Sequence, residues 1–325
     1  MSEPLLQVEH LTVTYETRLG PVRAVEDVSF TLHRGEVLGL VGESGCGKST
    51  LGMALLRMVR PPGRITGGRV LFRGRDLLQL SEEEMRQLRG RHISMVFQDP
   101  MTSLNPLQRI GDHIVETIRV HEPQVSRQEA WDRAAQLIRR LGISPDRLKD
   151  YPHQLSGGMR QRIMIGIGLA LNADLIIADE PTTSLDVIVE AQFLDLLREL
   201  REEFNLTLIL ITHNIGIVAE LADRVAVMYA GRMVEIGPVH DVFHRTLHPY
   251  TQGLLASVPS IRLEDGLELA TLSGAPPSLL DPPPGCRFHP RCAQALPVCR
   301  QQVPPWQEVR PNHGTACWLY AEEEA

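Results

Sequence analysis

In 325 residues the chain has no uninterrupted apolar run approaching the roughly 18 to 20 residues that a membrane-spanning helix requires. Ile163–Leu171 and Leu206–Ile211 are far too short. The amino terminus, MSEPLLQVEH, lacks both a basic start and a continuous apolar stretch, so no signal peptide is expected. If the protein serves a membrane, other chains do the spanning. A basic excess is also missing: 33 Lys and Arg stand against 40 Asp and Glu, for a net charge of −7, which argues against nucleic acid as the main partner. Cysteine is scarce, five in all, and four of them follow residue 285. That clustering excludes a disulfide framework spread over the chain and points to a local metal site. What remains is ordinary globular material, 43% hydrophobic and 22% charged, long enough to bury a substantial core.

Short apolar runs alternate with amphipathic helical patterns over most of the chain, the signature of a mostly parallel α/β sheet. Val37–Val41 reads as a buried strand, Lys48–Met58 as a helix, and Arg60–Gly63 as its Pro/Gly stop. Ser81 with Glu84 reads as a capping box opening a helix to about Leu88, and His92–Phe97 as the next strand. From about 100 to 154 the pattern turns helical, with a second capping box at Ser126 and Glu129 ahead of a helix to about Leu141. This stretch is expected to form a helical subdomain. Alternation resumes at Asp174–Ala178, Val187–Glu203, Leu206–Ile211, Asn214–Leu221 and Arg224–Tyr229, and a turn at Ala230-Gly231 leads into Arg232–Ile236. Ten of the 23 prolines lie between Pro276 and Pro311, where regular structure hardly propagates. The expected division is a nucleotide-binding domain over 1–258 and an irregular extension over 259–325, which must be disordered, docked or stapled because it cannot build its own core.

Gly42-Glu43-Ser44-Gly45-Cys46-Gly47-Lys48-Ser49 follows a predicted strand and opens a helix. This is the context of a phosphate-binding loop, in which glycines let backbone N–H groups converge on phosphate oxygens at a helix N-terminus. Gly42, Ser44, Gly45, Cys46, Gly47, Lys48, Ser49 and Thr50 are therefore the candidate ATP-binding residues. Lys48 can reach the β- and γ-phosphates, and the Ser49 hydroxyl can ligate Mg²⁺. Downstream, Asp179 and Glu180 end the apolar strand Leu175-Ile176-Ile177-Ala178, at the carboxyl edge where open α/β sheets bind ligands. Asp179 can hold Mg²⁺ through water, and Glu180 can act as general base on the attacking water.

Leu155-Ser156-Gly157-Gly158-Met159-Arg160-Gln161-Arg162 decides between families of phosphate-loop protein. Ser156, Gly157 and Gly158 stand at the start of an apolar helix and offer a second set of anion-binding donors. The run resembles the signature motif of ATP-binding cassette (ABC) ATPases and lies between the two ATP motifs as in that family. The fold this resemblance implies is a RecA-like P-loop NTPase core with a helical subdomain insertion. By the same resemblance, Gln98 is the Q-loop glutamine and a further Mg²⁺ ligand, Ser184-Leu185-Asp186 is the D-loop, His213 is the switch histidine of the γ-phosphate, and Tyr15 is the adenine-stacking aromatic. Two positions depart from the pattern: Met159 replaces Gln in the signature, and Asn214 replaces the Asp common after the switch histidine.

Phe97-Gln98-Asp99-Pro100-Met101-Thr102-Ser103-Leu104-Asn105-Pro106 is similar to the Q-loop of oligopeptide, dipeptide and nickel importer ATPases. His248-Pro249-Tyr250-Thr251 and the run from Pro284 to Cys292 are similar to the C-terminal region of that subgroup. The resemblance implies a peripheral ATPase on the cytoplasmic face of the membrane. Its partners would be a second cassette (identical or related), two transmembrane permease subunits and, indirectly, a substrate-binding protein, with no nucleic acid involved. In the implied head-to-tail dimer, Ser156 and Gly158 of one chain close over ATP held by Lys48 of the other. A soluble ABC ATPase of DNA repair or translation is the main rival. Only 56 residues separate Gln98 from Leu155, without the sustained heptads of an inserted coiled coil. An exporter is the remaining alternative, because direction lies in other subunits.

Cys286, Cys292, Cys299 and Cys317 are spaced C-x5-C-x6-C-x17-C in the proline-rich segment. Four thiolates suit an iron–sulfur cluster or structural zinc. Zinc sites usually use tighter pairs, and the resemblance to the importer subgroup, some of whose members carry such a centre, implies a [4Fe–4S] cluster, with Zn²⁺ the alternative and packed free thiols the third reading.

Overall fold

A computed structural model of the chain describes residues 3–98, 103–183, 185–257 and 272–321. Asp99, Pro100, Met101 and Thr102 of the expected Q-loop, Ser184 of the D-loop, and the domain junction expected at 258–259 lie outside the described residues. The chain gathers into two units: residues up to Leu78 together with those from Ile211 onward, and Gln79–Leu210.

In the first unit, Leu6–Thr17 pairs antiparallel with both Gly20–Leu32 and Gly63–Phe72. Its alternating Leu6, Val8, Leu11 and Val13 are all buried to 1% exposure or less, as a half-buried strand requires. This antiparallel sheet was not anticipated from the sequence; Arg60–Gly63, read as a helix stop, leads directly into one of its strands. A second set of strands contains Val37–Val41, parallel to Arg224–Tyr229, which pairs antiparallel with Arg232–Pro238. Val37–Val41 is buried at every position, so it reads as a continuous apolar run rather than an alternation.

The proline-rich segment is docked and partly regular, against the expectation that strands could hardly propagate there. Trp306–Arg310 and His313–Ala316 form a hairpin, and the latter strand adds to Arg232–Pro238 with Glu235 opposite Thr315. Glu235 is wholly buried and accepts from Leu247 N (2.9 Å), His248 N (3.0 Å) and the ring of His313 (2.8 Å). Nearer the phosphate loop, Phe288 is 3% exposed and packs against the rings of Tyr229 and Tyr250. Arg287 donates to the Ala230 carbonyl and to Glu26, and Glu26 also receives Arg232 at 3.1 Å. Burial alone would raise the Glu26 carboxyl, but the hydrogen bond and charge of Arg232, the charge of Arg287 and the hydrogen bond of Arg23 outweigh it and hold the group below its ordinary range.

In the second unit, Ile93–Val96 runs parallel to Leu175–Asp179, which is followed by the helix Val187–Phe204 and the strand Thr207–Ile211. The helices Ile110–His121 and Arg127–Arg140 pack on one another through Ile114, Ile118, Ala130, Ala134 and Ile138, all at 1% exposure or less. Ser81 forms a full capping box with Glu84. At Ser126 the hydroxyl accepts from Glu129 N at 3.1 Å.

The Glu235–His313 pair makes a specific demand on stability. A hydrogen bond to a charged group is worth about 1.5–3 kcal/mol when its loss leaves the partner buried. His313→Ala is therefore expected to lower unfolding free energy by about that amount and to expose the hairpin to trypsin. Urea titration and limited proteolysis check it; an unchanged midpoint with a protected tail would assign the docking to the other contacts.

Candidate functional site: a phosphate loop and a signature helix

The loop from Gly42 to Gly47 leaves Val37–Val41 and enters the helix Lys48–Leu55. Gly42, Gly45 and Gly47 all have positive φ, at 150°, 78° and 108°. At Gly42 an added Cβ would run into the Met228 carbonyl oxygen, and at Gly47 into the Ala24 carbonyl oxygen. Glycine at these two positions is thus imposed twice, by backbone angle and by space. Gly47 caps the helix without a side-chain hydrogen bond, in the left-handed conformation that glycine adopts freely.

Lys48 is 6% exposed, and its Nζ donates to the carbonyls of Gly42 (2.7 Å) and Glu43 (3.1 Å). Cys46 is buried beside it, and burial pushes its thiol up against the counteracting charge of Lys48; it is a small filler rather than a nucleophile. The loop is tied down from outside. Gly231 N donates to Cys46 O at 2.8 Å, and Glu43 N donates to Tyr250 Oη at 2.9 Å. The Glu43 carboxylate takes both guanidinium nitrogens of Arg291, at 2.7 and 3.0 Å.

Elsewhere in this unit, Tyr15 is half-buried in Leu6–Thr17, opposite Val22 on one neighbouring strand and Gly63 on the other. A Cβ on Gly63 would stand 2.6 Å from the Tyr15 ring, so glycine there makes room for the aromatic. His213 lies between Thr212, whose N–H donates to Leu40 O (3.2 Å), and Asn214. The Asn214 side chain accepts from Gly216 N at 3.0 Å and caps Ile215–Leu221. That explains the departure from Asp: either side chain supplies the capping oxygen.

The second unit holds the remaining candidates. Asp179 is the last residue of Leu175–Asp179 and is 5% exposed. Glu180, 9% exposed, has φ of 51°, a left-handed conformation that a non-glycine residue adopts only at a cost of order 1–3 kcal/mol. Thr183 Oγ1 donates to its carboxylate at 2.9 Å. Ser156 accepts from Met159 N at 3.3 Å and caps Gly157–Leu169, so its hydroxyl serves the helix end while Ser156 and Gly157 stay exposed. Met159 takes part through its backbone, which is indifferent to the replaced Gln. Asp186 caps Val187–Phe204 by accepting from Val189 N at 2.9 Å. A Cβ on Gly158 would collide with the Val189 side chain, so the signature glycine lets the two helices meet. Gln98 is exposed at the end of the described segment after Ile93–Val96.

Sequence reasoning missed two features. Gln161, 1% exposed, donates from Nε2 to the Pro181 carbonyl and so ties the signature helix to the turn after Glu180. A lone amide among the apolar positions of that helix was the available signal. The grip of Tyr250 and Arg291 on Glu43 was also missed, although both residues stand in the C-terminal runs singled out above.

The four C-terminal cysteines stand within electrostatic reach of one another. Burial, with smaller contributions from Cys299 and Cys292, raises the Cys286 thiol; burial and then the other three raise Cys317 to about 11. Yet among the described residues no group of three or more His, Cys, Asp or Glu is arranged to hold a metal ion. The expected metal centre is not formed by the side chains as they stand.

Together these elements define a nucleotide-hydrolysing cassette. The ABC transporter family profile matches residues 25–183, and one described as the oligopeptide/dipeptide transporter C-terminal region matches 234–299. The dimeric structure of MJ0796, a bacterial ABC transporter cassette, aligns with a TM-score of 0.65 and 26% identity, over 72% of this chain and 98% of that one. The dipeptide transport ATP-binding protein DppD of Bacillus subtilis is 48% identical over 322 residues, 98% of this chain and 95% of its own length. The oligopeptide transport ATP-binding protein OppD of Salmonella typhimurium is 47% identical over 321 residues, with 98% and 95% covered. The chain belongs to the oligopeptide/dipeptide family of ABC transporter ATP-binding proteins, and its reaction is hydrolysis of ATP with Mg²⁺.

The two crowded glycines give the loop a sharp requirement. Gly47→Ala is expected to weaken ATP binding at least tenfold, roughly the 1–3 kcal/mol of a strained backbone or more, with far-ultraviolet circular dichroism unchanged. Titration with a fluorescent ATP analogue measures it; parental affinity would show that the loop relaxes without cost.

Proposed function

We propose that this chain powers the import of peptides or similar small solutes across a membrane, as a peripheral ATPase on the cytoplasmic face. What carries the reading is the extent of likeness: relatives named for dipeptide and oligopeptide transport match it through the cassette and the C-terminal region alike. No helix among the described residues is long and apolar enough to cross a membrane, and in this reading other chains supply the permease. The partners are a second cassette, two permease subunits and a substrate-binding protein.

The residue roles follow from chemistry. Gly42, Ser44, Gly45, Cys46, Gly47, Ser49 and Thr50 cradle the phosphates, Lys48 neutralises them, and Tyr15 stacks on the adenine. Ser49, Asp179 and Gln98 are the oxygen ligands that would hold Mg²⁺, whose charge offsets that of the phosphates. Glu180 accepts the proton of the attacking water, and His213 steadies the γ-phosphate. Ser156, Gly157 and Gly158 act on the nucleotide of the partner cassette, with Asp186 beside them at the seam. ATP then binds the two cassettes together, and its hydrolysis shifts the population toward the open pair. The helical stretch at about 100–154 passes the motion to the permease, and 259–325 serves as the peptide-transporter extension of the 1–258 cassette.

Glu180→Gln keeps the shape of the side chain but cannot accept a proton. Turnover is expected to fall about 10²–10⁴-fold with ATP affinity nearly unchanged. Steady-state phosphate release and nucleotide titration separate the two; turnover within tenfold of the parent removes Glu180 from the role of base.

The finer reading of the cysteines belongs to the same proposal: Cys286, Cys292, Cys299 and Cys317 form one centre, a [4Fe–4S] cluster rather than Zn²⁺. Its support is the donor chemistry and the mutual proximity of four thiols in a segment short of core, and it requires the thiols to turn inward and ionise. Protein purified without oxygen is expected to be brown, with about four irons per chain that Cys292→Ser removes. Colourless protein with one zinc would replace the cluster, and protein with neither metal would leave four packed thiols.

A further inference from the structure

Glu43 of the phosphate loop is held twice, by Arg291 of the C-terminal lobe (the docked residues from 272 onward) and by Tyr250. Arg291 meets the carboxylate with a two-pronged pair, and its side chain is 5% exposed. The guanidinium is itself aimed: its Nε donates to Ser273 O at 3.0 Å, and Nη1 lies 3.3 Å from the Tyr229 hydroxyl. Tyr250 accepts from the Glu43 amide, as described above. A cavity of about 420 Å³ runs beside the loop, with Ser44 and Gly45 on one side and Pro277 and Leu280 of the lobe on the other.

Glu43 places a negative charge in a loop built to receive a triphosphate, one residue before Ser44 and within the span whose carbonyls Lys48 contacts. Left unpaired, that carboxylate repels the nucleotide and competes with it for Lys48. A guanidinium in forked contact removes both effects and fixes where the carboxylate points.

We infer that Arg291 is a positioning residue for nucleotide binding: by holding Glu43 it keeps the phosphate loop electrostatically open to ATP, so that the C-terminal lobe sets the affinity of the site. The inference rests on the reading of Gly42–Thr50 as the phosphate-binding loop.

The test is a set of titrations of the full chain with a fluorescent ATP analogue and Mg²⁺, paired with thermal melts. Arg291→Ala is expected to raise Kd about tenfold or more, as loss of a charged hydrogen-bonded pair implies, with kcat at saturating ATP within about twofold. Glu43→Gln alone is expected to bind within about threefold of the parent, because it removes the charge that needs holding. The decisive variant is Glu43→Gln with Arg291→Ala, expected to return to within about threefold of the parent, which a merely structural clasp does not permit. Should Arg291→Ala melt early, Arg291→Gln, which keeps part of the stem but carries no charge, carries the same comparison. Parental affinity in the arginine variant, or a loss that Glu43→Gln does not reverse, overturns the inference. Lys48→Ala separates the two levels: if it too binds ATP normally, the phosphate-loop reading itself fails, whereas its loss beside an unaffected Arg291 variant removes only the positioning role.

Discussion

A loop that turns from a buried strand into a helix through Gly42, Gly45 and Gly47, all at positive φ, has to be held in place by what surrounds it, and much of the first unit serves that constraint. Here the hold comes from behind. Gly42 and Gly47 are packed so tightly on the carbonyls of Met228 and Ala24 that no Cβ fits, and Gly231 N takes the Cys46 carbonyl. The strands Val37–Val41 and Arg224–Tyr229, buried nearly throughout, are the rigid footing that makes such close approach reproducible.

The same economy governs the C-terminal lobe. A proline-rich segment cannot assemble a core, so it borrows one: Phe288 fills a place between Tyr229 and Tyr250, and a two-stranded hairpin extends an existing strand. Its polar anchors go to residues that already have a task. Arg287 meets Glu26 and the turn at Ala230, Arg291 meets Glu43, and His313 meets Glu235. Each is largely removed from water, where a pair is strong only if its geometry is good and where loss of one partner is costly. The lobe and the loop therefore share residues rather than merely touching.

How far this was legible in the sequence divides along physical lines. Elements specified locally were read nearly to the residue: Val37–Val41 from its apolar run, the helix after Ser81 from its capping box, and Arg224–Tyr229 from β-branched and apolar residues ending at a turn. The antiparallel sheet of Leu6–Thr17, Gly20–Leu32 and Gly63–Phe72 was not read, because its pairing is interrupted by register shifts that break the alternation. The site residues could be named because their chemistry demands particular types at fixed spacing. Their supports could not. Nothing in the spacing links Arg291 to Glu43, 248 positions apart, or Gln161 to Pro181.

The two departures from the family pattern show which part of each motif is constrained. Asn214 keeps the capping oxygen that an aspartate would supply, and Met159 contributes to the signature turn only the amide received by Ser156. At Met159 the requirement falls on the backbone, which many side chains satisfy, and at Asn214 on a side-chain oxygen that either Asn or Asp supplies. At Gly42, Gly47 and Gly158 the requirement is again geometric but admits only glycine, because a carbonyl oxygen or the Val189 side chain already occupies the space. Glu180 is the opposite case: a residue with a side chain stands where the backbone is left-handed, and its carboxylate is held by Thr183. A strained residue of this kind persists only where its surroundings over-determine it. The turn Glu180–Thr183, closed by Thr183 N on Glu180 O and braced by Gln161 on Pro181, provides that over-determination. The helix Gly157–Leu169 thus supports the turn that follows Asp179 while leaving Ser156 and Gly157 exposed, which ties the two motifs into one mechanical piece.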